Sequence, residues 1–158
     1  MSGKLYIAYG SNLNLAQMKY RCPTAKFIGT GVLENYELQF KGSLHNAHAT
    51  IAQKPGAAVP VGVWEIQSAD ELRLDQYEGY PHYYFKQTLA GTLGGKPFRG
   101  MAYIMDPQME FGYPSARYYD TLLQGYRDCG LDPEVLRQAV LDSGEQTRQP
   151  EYGGVKLC

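Results

Sequence analysis

The residue patterns of this 158-residue chain predict an α+β fold: a mixed, barrel-like β-sheet with flanking helices. Three observations carry the prediction. Segments rich in β-branched and aromatic residues dominate the chain as far as Met105. One helical segment with capping signals is inserted among them. Two further helical segments follow once the strands have ended. No internal repeat, low-complexity stretch or linker divides the sequence, so residues 1–158 read as a single domain of a size that suits one core.

The elements follow in order. Lys4 to Tyr9 reads as the first strand, and Gly10-Ser11-Asn12 breaks it. Asn14 to Arg21 predicts a short helix with Leu15, Met18 and Cys22 on one face. Phe27 to Phe40 contains strand-like pieces, with Asn35 near a turn. Gly42 to Asn46 is a loop. Ala47–Gln53 and Pro60–Ile66 read as two strands flanking a Lys54-Pro55-Gly56 turn. Ser68 with Glu71 three residues later forms a capping box that opens a helix ending near Gly79. His82–Leu89 and Pro97–Met105 are strands joined at a Gly94-Gly95 hairpin turn. Pro114-Ser115 starts the next helix, which stops at Gly130. Asp132-Pro133 opens the last, with proline at the first helical position, and it ends near Gly144. Glu145 to Cys158 reads as a polar surface strap.

Composition excludes several classes. A net charge of -1 without a Lys/Arg cluster argues against nucleic acid as a partner. Cys22, Cys129 and Cys158 are odd in number and lack C-x-x-C spacing, so reduced thiols fit better than a disulfide framework or a zinc site. The apolar stretch after Lys4 is about five residues, too short for a signal-peptide core or a membrane span. The expectation is a cytoplasmic protein with no membrane partner.

Two places carry candidate chemistry. Tyr9-Gly10-Ser11-Asn12 joins a strand to a helix, and such a turn can aim consecutive N–H groups at a carboxylate or an oxyanion. The same residues also suit a plain helix-capping turn. Glu78 lies at a helix C-terminus, where a carboxylate is disfavoured, among Tyr77, Tyr80, Tyr83 and Tyr84. If those rings enclose it, desolvation raises its pKa toward the range of a general base. If they do not, it is a solvated residue at a frayed helix end. Glu71 suits the capping box, and Asp70 and Asp75 read as a solvated helix face.

The stretch Tyr6-Ile7-Ala8-Tyr9-Gly10-Ser11-Asn12-Leu13 resembles the opening strand and substrate loop of the γ-glutamyl cyclotransferase superfamily, with its AIG2-like and butirosin-pathway relatives. Leu74-Asp75-Gln76-Tyr77-Glu78-Gly79-Tyr80 is similar to the segment that bears the family's catalytic glutamate, and Pro114 to Tyr118 to the start of its C-terminal helix. The three motifs occur in family order over roughly residues 4 to 143. The resemblance implies a barrel-like sheet, no cofactor, and conversion of a small-molecule γ-glutamyl substrate to 5-oxoproline with release of an amine. It implies Glu78 as the acid/base, and Tyr6, Ile7, Ala8, Tyr9, Gly10, Ser11, Asn12 and Tyr118 as substrate contacts. Pro81-His82-Tyr83-Tyr84 departs from the pattern and leaves the amine side open. A catalytically silent binding domain of the same fold is the alternative, and monomer and homodimer are both open.

Other chemistries lack support in the sequence. His45 and His48 lie in or beside a loop without further metal ligands. No G-x-S-x-G elbow is present. Cys22 has no evident base, and Gly91 to Gly100 suits a hairpin rather than a phosphate cradle.

Overall fold

The computed structural model describes residues 3–148. Its elements are β1 (Lys4–Ala8), a 3-10 turn (Ser11–Leu13), α1 (Leu15–Arg21), β2 (Lys26–Lys41), β3 (His48–Ile66), α2 (Ser68–Glu78), β4 (Tyr84–Leu93), β5 (Lys96–Met105), α3 (Ala116–Cys129) and α4 (Pro133–Arg148). The five strands close into a barrel in the order β1-β3-β2-β4-β5. Its neighbours run antiparallel except at the closure, where β1 meets β5 in parallel at Tyr6 and Met101. The sheet is therefore mixed and barrel-like with flanking helices, as the residue patterns predict.

Long strands replace the expected short pieces. β2 and β3 each run on through residues that normally reverse a chain. Asn35 takes φ 67 and shifts the register between Glu34 and Tyr36. Gly56, at φ 86, donates its N–H to Asn35 Oδ1 at 3.0 Å. Turn-forming residues make a bulge here instead of a reversal, because both flanks of β3 pair with the same partner strand. The Gly94-Gly95 turn does reverse the chain, with both glycines at positive φ. β4 starts two residues later than expected and extends to Leu93.

The helices also differ in detail. The capping box of α2 uses Gln67 and Asp70, not Ser68 and Glu71. Asp70 is fully buried and accepts from the Gln67 N–H and the Thr24 hydroxyl, so it is no solvated face. Glu71 instead pairs with Lys4 and Lys86. α4 passes through Gly144, where a side chain would meet the Tyr113 ring at 2.8 Å. This glycine permits close packing rather than a stop. Residues 145–148 are thus helical, and the rest of the expected strap lies outside the described residues.

The core fills the barrel and continues under the helices. Val59, Val61 and Val63 of β3 and Leu33 and Phe40 of β2 are wholly buried. Leu122, Tyr126 and Leu136 bury the inner faces of α3 and α4. α3 lies close against the 3-10 turn because Gly125 has no side chain there. A Cβ would come within 2.8 Å of Leu13 and Asn14. The Asn14 amide seals this contact by donating to the Thr121 carbonyl at 3.2 Å. Among the described residues no helix is long and apolar enough to cross a membrane.

Candidate functional site

A small cavity of about 30 Å³ opens where β1 ends, lined by Tyr6, Ile7, Tyr9, Gly10, Ser11, Asn12, Ala49, Glu78, Tyr84, Tyr103 and Tyr118. Seven elements and the link between β1 and the 3-10 turn supply these residues. The fold thus gathers side chains from positions 6 to 118 around one carboxyl group.

The turn is held from several sides. The Leu13 and Asn14 N–H groups return to Gly10 and Ser11 at 3.0 Å. The Trp64 indole donates to the Asn12 carbonyl at 3.2 Å. A Cβ on Gly10 would come within 3.3 Å of Ala49 and 3.5 Å of the Tyr118 hydroxyl, so glycine keeps this wall open. Ser11 and Asn12 begin the 3-10 turn, and the first N–H groups of such a turn have no acceptor within it. That is the donor arrangement an anion requires.

Glu78 is the last residue of α2. Gly79 ends the helix in the left-handed region at φ 67, which glycine tolerates. The residue as a whole is partly buried, but its carboxyl is enclosed. Burial pushes its pKa up to about 7, and the positive charge of Arg21 partly opposes that rise. The Asn12 amide reaches it at 3.4 Å.

The enclosing rings are not the ones nearest in sequence. Of the four expected neighbours, only Tyr84 lines the cavity. Tyr77 and Tyr80 remain 45% and 39% exposed, and Tyr83 is half-buried. One residue along a helix turns the side chain by about 100°, so Tyr77 cannot share the direction of Glu78. Tyr6, Tyr9, Tyr103 and Tyr118 close the cavity from across the fold. Burial raises all four phenols above their ordinary pKa, so they stay neutral donors and acceptors.

Their hydrogen bonds fix which way each hydroxyl serves. Tyr9 donates to the Tyr103 carbonyl and Tyr84 donates to the Ala49 carbonyl at 2.7 Å. Tyr103 donates to Asp75 at 2.6 Å. Tyr118 accepts from the Ala49 N–H at 3.0 Å and Tyr6 accepts from the Asn12 amide at 2.8 Å. An oxygen that accepts in this way keeps its own proton for a further partner. Tyr6 and Tyr118 are therefore the hydroxyls equipped to donate into the cavity.

Of the residues singled out from sequence, Tyr6, Ile7, Tyr9, Gly10, Ser11, Asn12, Glu78 and Tyr118 meet at the cavity. Ala8 does not. Its methyl is buried in the core. Asp75 is tied to Lys86 and Tyr103 instead of facing water. Tyr103, Ala49 and Arg21 were not singled out, because only barrel closure and the α1–α2 contact bring them close. His48 bonds the Tyr83 hydroxyl at 2.8 Å through Nδ1, and its ring meets the edge of Tyr118. His45 lies exposed in the loop. Among the described residues no three His, Cys, Asp or Glu side chains gather as metal ligands.

The chain is similar to known proteins in sequence and in fold. The sequence model described as γ-glutamyl cyclotransferase, AIG2-like, matches residues 6–127. The human γ-glutamylcyclotransferase is 32% identical over 139 residues, covering 82% of this chain and 73% of the human one. The bovine γ-glutamylcyclotransferase is 30% identical, covering 85% and 76%. A solved γ-glutamyl cyclotransferase structure superposes with a TM-score of 0.79 at 29% identity, covering 88% of this chain and 86% of its own. A match over most of the chain, in sequence and in fold, shows that this protein belongs to the γ-glutamyl cyclotransferase, AIG2-like family.

Proposed function

We propose that this chain converts a γ-glutamyl amino acid or amine into 5-oxoproline and a free amine, with Glu78 as the proton carrier. The observation that carries the reading is the enclosed Glu78 carboxyl, pushed up to about 7 beside donors suited to an anion. The names of the human and bovine relatives support the same chemistry.

The steps follow from charge. The substrate's α-ammonium cannot attack until it loses a proton, and Glu78 in its carboxylate form accepts it. The freed amine attacks the γ-carbonyl carbon, and a C–N bond closes a five-membered ring. The carbonyl electrons move to oxygen, where a donor must receive them. The N–H groups of Ser11 and Asn12 and the hydroxyls of Tyr6 and Tyr118 divide two tasks: holding the α-carboxylate and receiving this oxyanion. Collapse of the intermediate breaks the bond to the leaving amine as Glu78 returns the proton, and the ring nitrogen gives its second proton to the regenerated Glu78 carboxylate, which passes it to the freed amine or to water. A pKa near 7 suits a group that must take and give in one cycle. Folding the glutamyl chain for intramolecular attack contributes up to about 7–11 kcal/mol.

The test is release of 5-oxoproline from a panel of γ-glutamyl dipeptides, γ-glutamyl amines and glutathione, by the wild type and by Glu78→Gln. An active wild type and a variant retaining most of its rate would remove Glu78 from the mechanism.

A further inference from the structure

Arg21 lies at the end of α1, outside the cavity lining, yet three contacts fix its guanidinium. Nη1 donates to Asn12 Oδ1, Nη2 donates to Gln17 Oε1 at 3.2 Å, and the guanidinium carbon lies 3.5 Å from the centre of the Tyr77 ring. We propose that Arg21 is a positioning residue for the reaction: it locks the Asn12 amide in the orientation that presents N–H groups to Glu78 and Tyr6, without itself touching substrate. The inference rests on the role of Glu78 proposed above.

The argument begins with what arginine lacks. A guanidinium has five N–H donors and no acceptor. The Asn12 side-chain atom facing it must therefore be the carbonyl oxygen. The NH₂ group then faces the other way, toward Tyr6 Oη at 2.8 Å and Glu78 Oε2 at 3.4 Å. Turning the amide by 180° would set NH₂ against guanidinium and the carbonyl oxygen against the Glu78 carboxylate. Both contacts would be repulsive. The main chain of Asn12 is held separately by the Trp64 indole, so the guanidinium acts on the amide end.

One residue thereby sets two groups in the cavity. Glu78 receives a neutral donor that favours its ionised form. Tyr6 accepts from Asn12, so its own proton is left for the substrate. The charge of Arg21 acts in the same direction on Glu78. The other titratable groups near that carboxyl are Tyr6 of β1, Tyr9 just after it, Tyr84 of β4 with Tyr83 just before it, Tyr103 of β5 and Tyr118 of α3. All are phenols that burial keeps neutral. Among the described residues, Arg21 is the cation that bears on Glu78.

The experiment compares Arg21→Gln and Arg21→Lys in the full chain, with Glu78→Gln as reference. It reads kcat and KM across pH with a γ-glutamyl dipeptide, and follows the Glu78 carboxyl itself by carbon NMR. Arg21→Gln should lower kcat about tenfold with KM changed less than about twofold, because the loss falls on the proton-transfer step. It should also raise the acidic limb of the kcat/KM profile by about one pH unit, since an opposing positive charge has gone. Arg21→Lys should restore the limb but not kcat, since a point charge cannot hold the amide as a planar fork does. A wild-type limb and kcat in Arg21→Gln would overturn the inference. Equal impairment of both variants in step with a matching fall in Tm would also overturn it, by making the role merely structural. The NMR titration needs no turnover. If Glu78→Gln proves active, the catalytic reading fails, and an unmoved Glu78 titration in Arg21→Gln would separately sink the Arg21 inference.

Discussion

Helix α2 carries a carboxylate withdrawn from water near each of its ends, and their surroundings are opposite. Asp70 lies in the first turn, where the helix's partial positive charge favours an anion. Its oxygens accept from the Thr24 hydroxyl at 2.7 and 2.8 Å and from the Gln67 N–H at 2.9 Å. Glu78 lies at the last residue, where that charge is negative. The donor within reach is one amide at 3.4 Å, and burial drives its pKa up to about 7. Both residues are acids of one helix, eight positions apart. What separates them is the supply of donors. A saturated buried carboxylate is a structural part with no capacity left. A starved one exchanges protons near neutral pH and can meet a substrate. Burial alone therefore does not identify a catalytic acid, whereas burial with unmet hydrogen-bonding capacity does.

The comparison breaks most sharply on activity. Glu78→Gln keeps the shape and removes the proton exchange, so kcat should fall between about 10²- and 10⁴-fold. Asp70→Asn should leave kcat per folded molecule within about twofold. Its effect belongs in stability instead. An amide turned toward the Thr24 hydroxyl and the Gln67 N–H leaves a buried donor facing donors, at a cost of roughly 3 kcal/mol in chemical denaturation. If Asp70→Asn were the variant that lost turnover in a protein still folded, the division between the two ends of α2 would be wrong.

A third experiment sharpens the contrast through pH. Glu78 has a folded-state pKa near 7, above the ordinary 4.5. Below 4.5 it is protonated in both folded and unfolded chains and favours neither. As pH rises from 4.5 through 7, the unfolded chain ionises first and the folded state loses relative stability. At about 1.4 kcal/mol for each pH unit between the two values, the cost above pH 7 is roughly 3 kcal/mol. Glu78→Gln has no such cost. It should match the wild type in stability near pH 4.5 and exceed it by roughly 2–3 kcal/mol at pH 8. A gain independent of pH would point to packing and not to the enclosed charge.

How much of this was legible in the sequence follows from the range of each interaction. The end of α2 was readable because Gly79 follows Glu78 directly, and the Gly10 break because strand character stops there. Local chemistry marks such points. The Asn35 bulge was misread as a turn because the local signal is the same. Only pairing with β3 on both sides decides the outcome. Asp70 was misread as solvated because its partner Thr24 is 46 residues away. The four tyrosines next to Glu78 in sequence suggested its enclosure, and the enclosure is real. The rings that provide it arrive mostly from β1, β5 and α3, because helical geometry turns Tyr77 away and barrel closure brings Tyr103 near. The family resemblance located Tyr118. Nothing local in the sequence singled out Arg21, whose importance depends on the direction in which an amide is turned.

The smallest expected effect concerns Tyr118, which belongs to neither acid. Its oxygen accepts the Ala49 N–H at 3.0 Å, so its proton is available to a bound group. If that group is the α-carboxylate, substrate and transition state feel the hydroxyl equally. Tyr118→Phe should then raise KM about tenfold, near 1.4 kcal/mol, with kcat little changed. If the group is the developing oxyanion, the contact strengthens only as the ring closes, and kcat should fall while KM holds. The carboxylate assignment is favoured by distance along the fold. Tyr118 adjoins Gly10, at the 3-10 turn whose N–H groups suit a permanent charge, whereas Tyr6 shares the Asn12 amide with Glu78. The oxyanion must form beside the group that moves the proton, so Tyr6→Phe should be the variant that lowers kcat. Steady-state kinetics on the two phenylalanine variants decide it, and the reverse pattern would exchange the two tyrosines' tasks while leaving Glu78 in place.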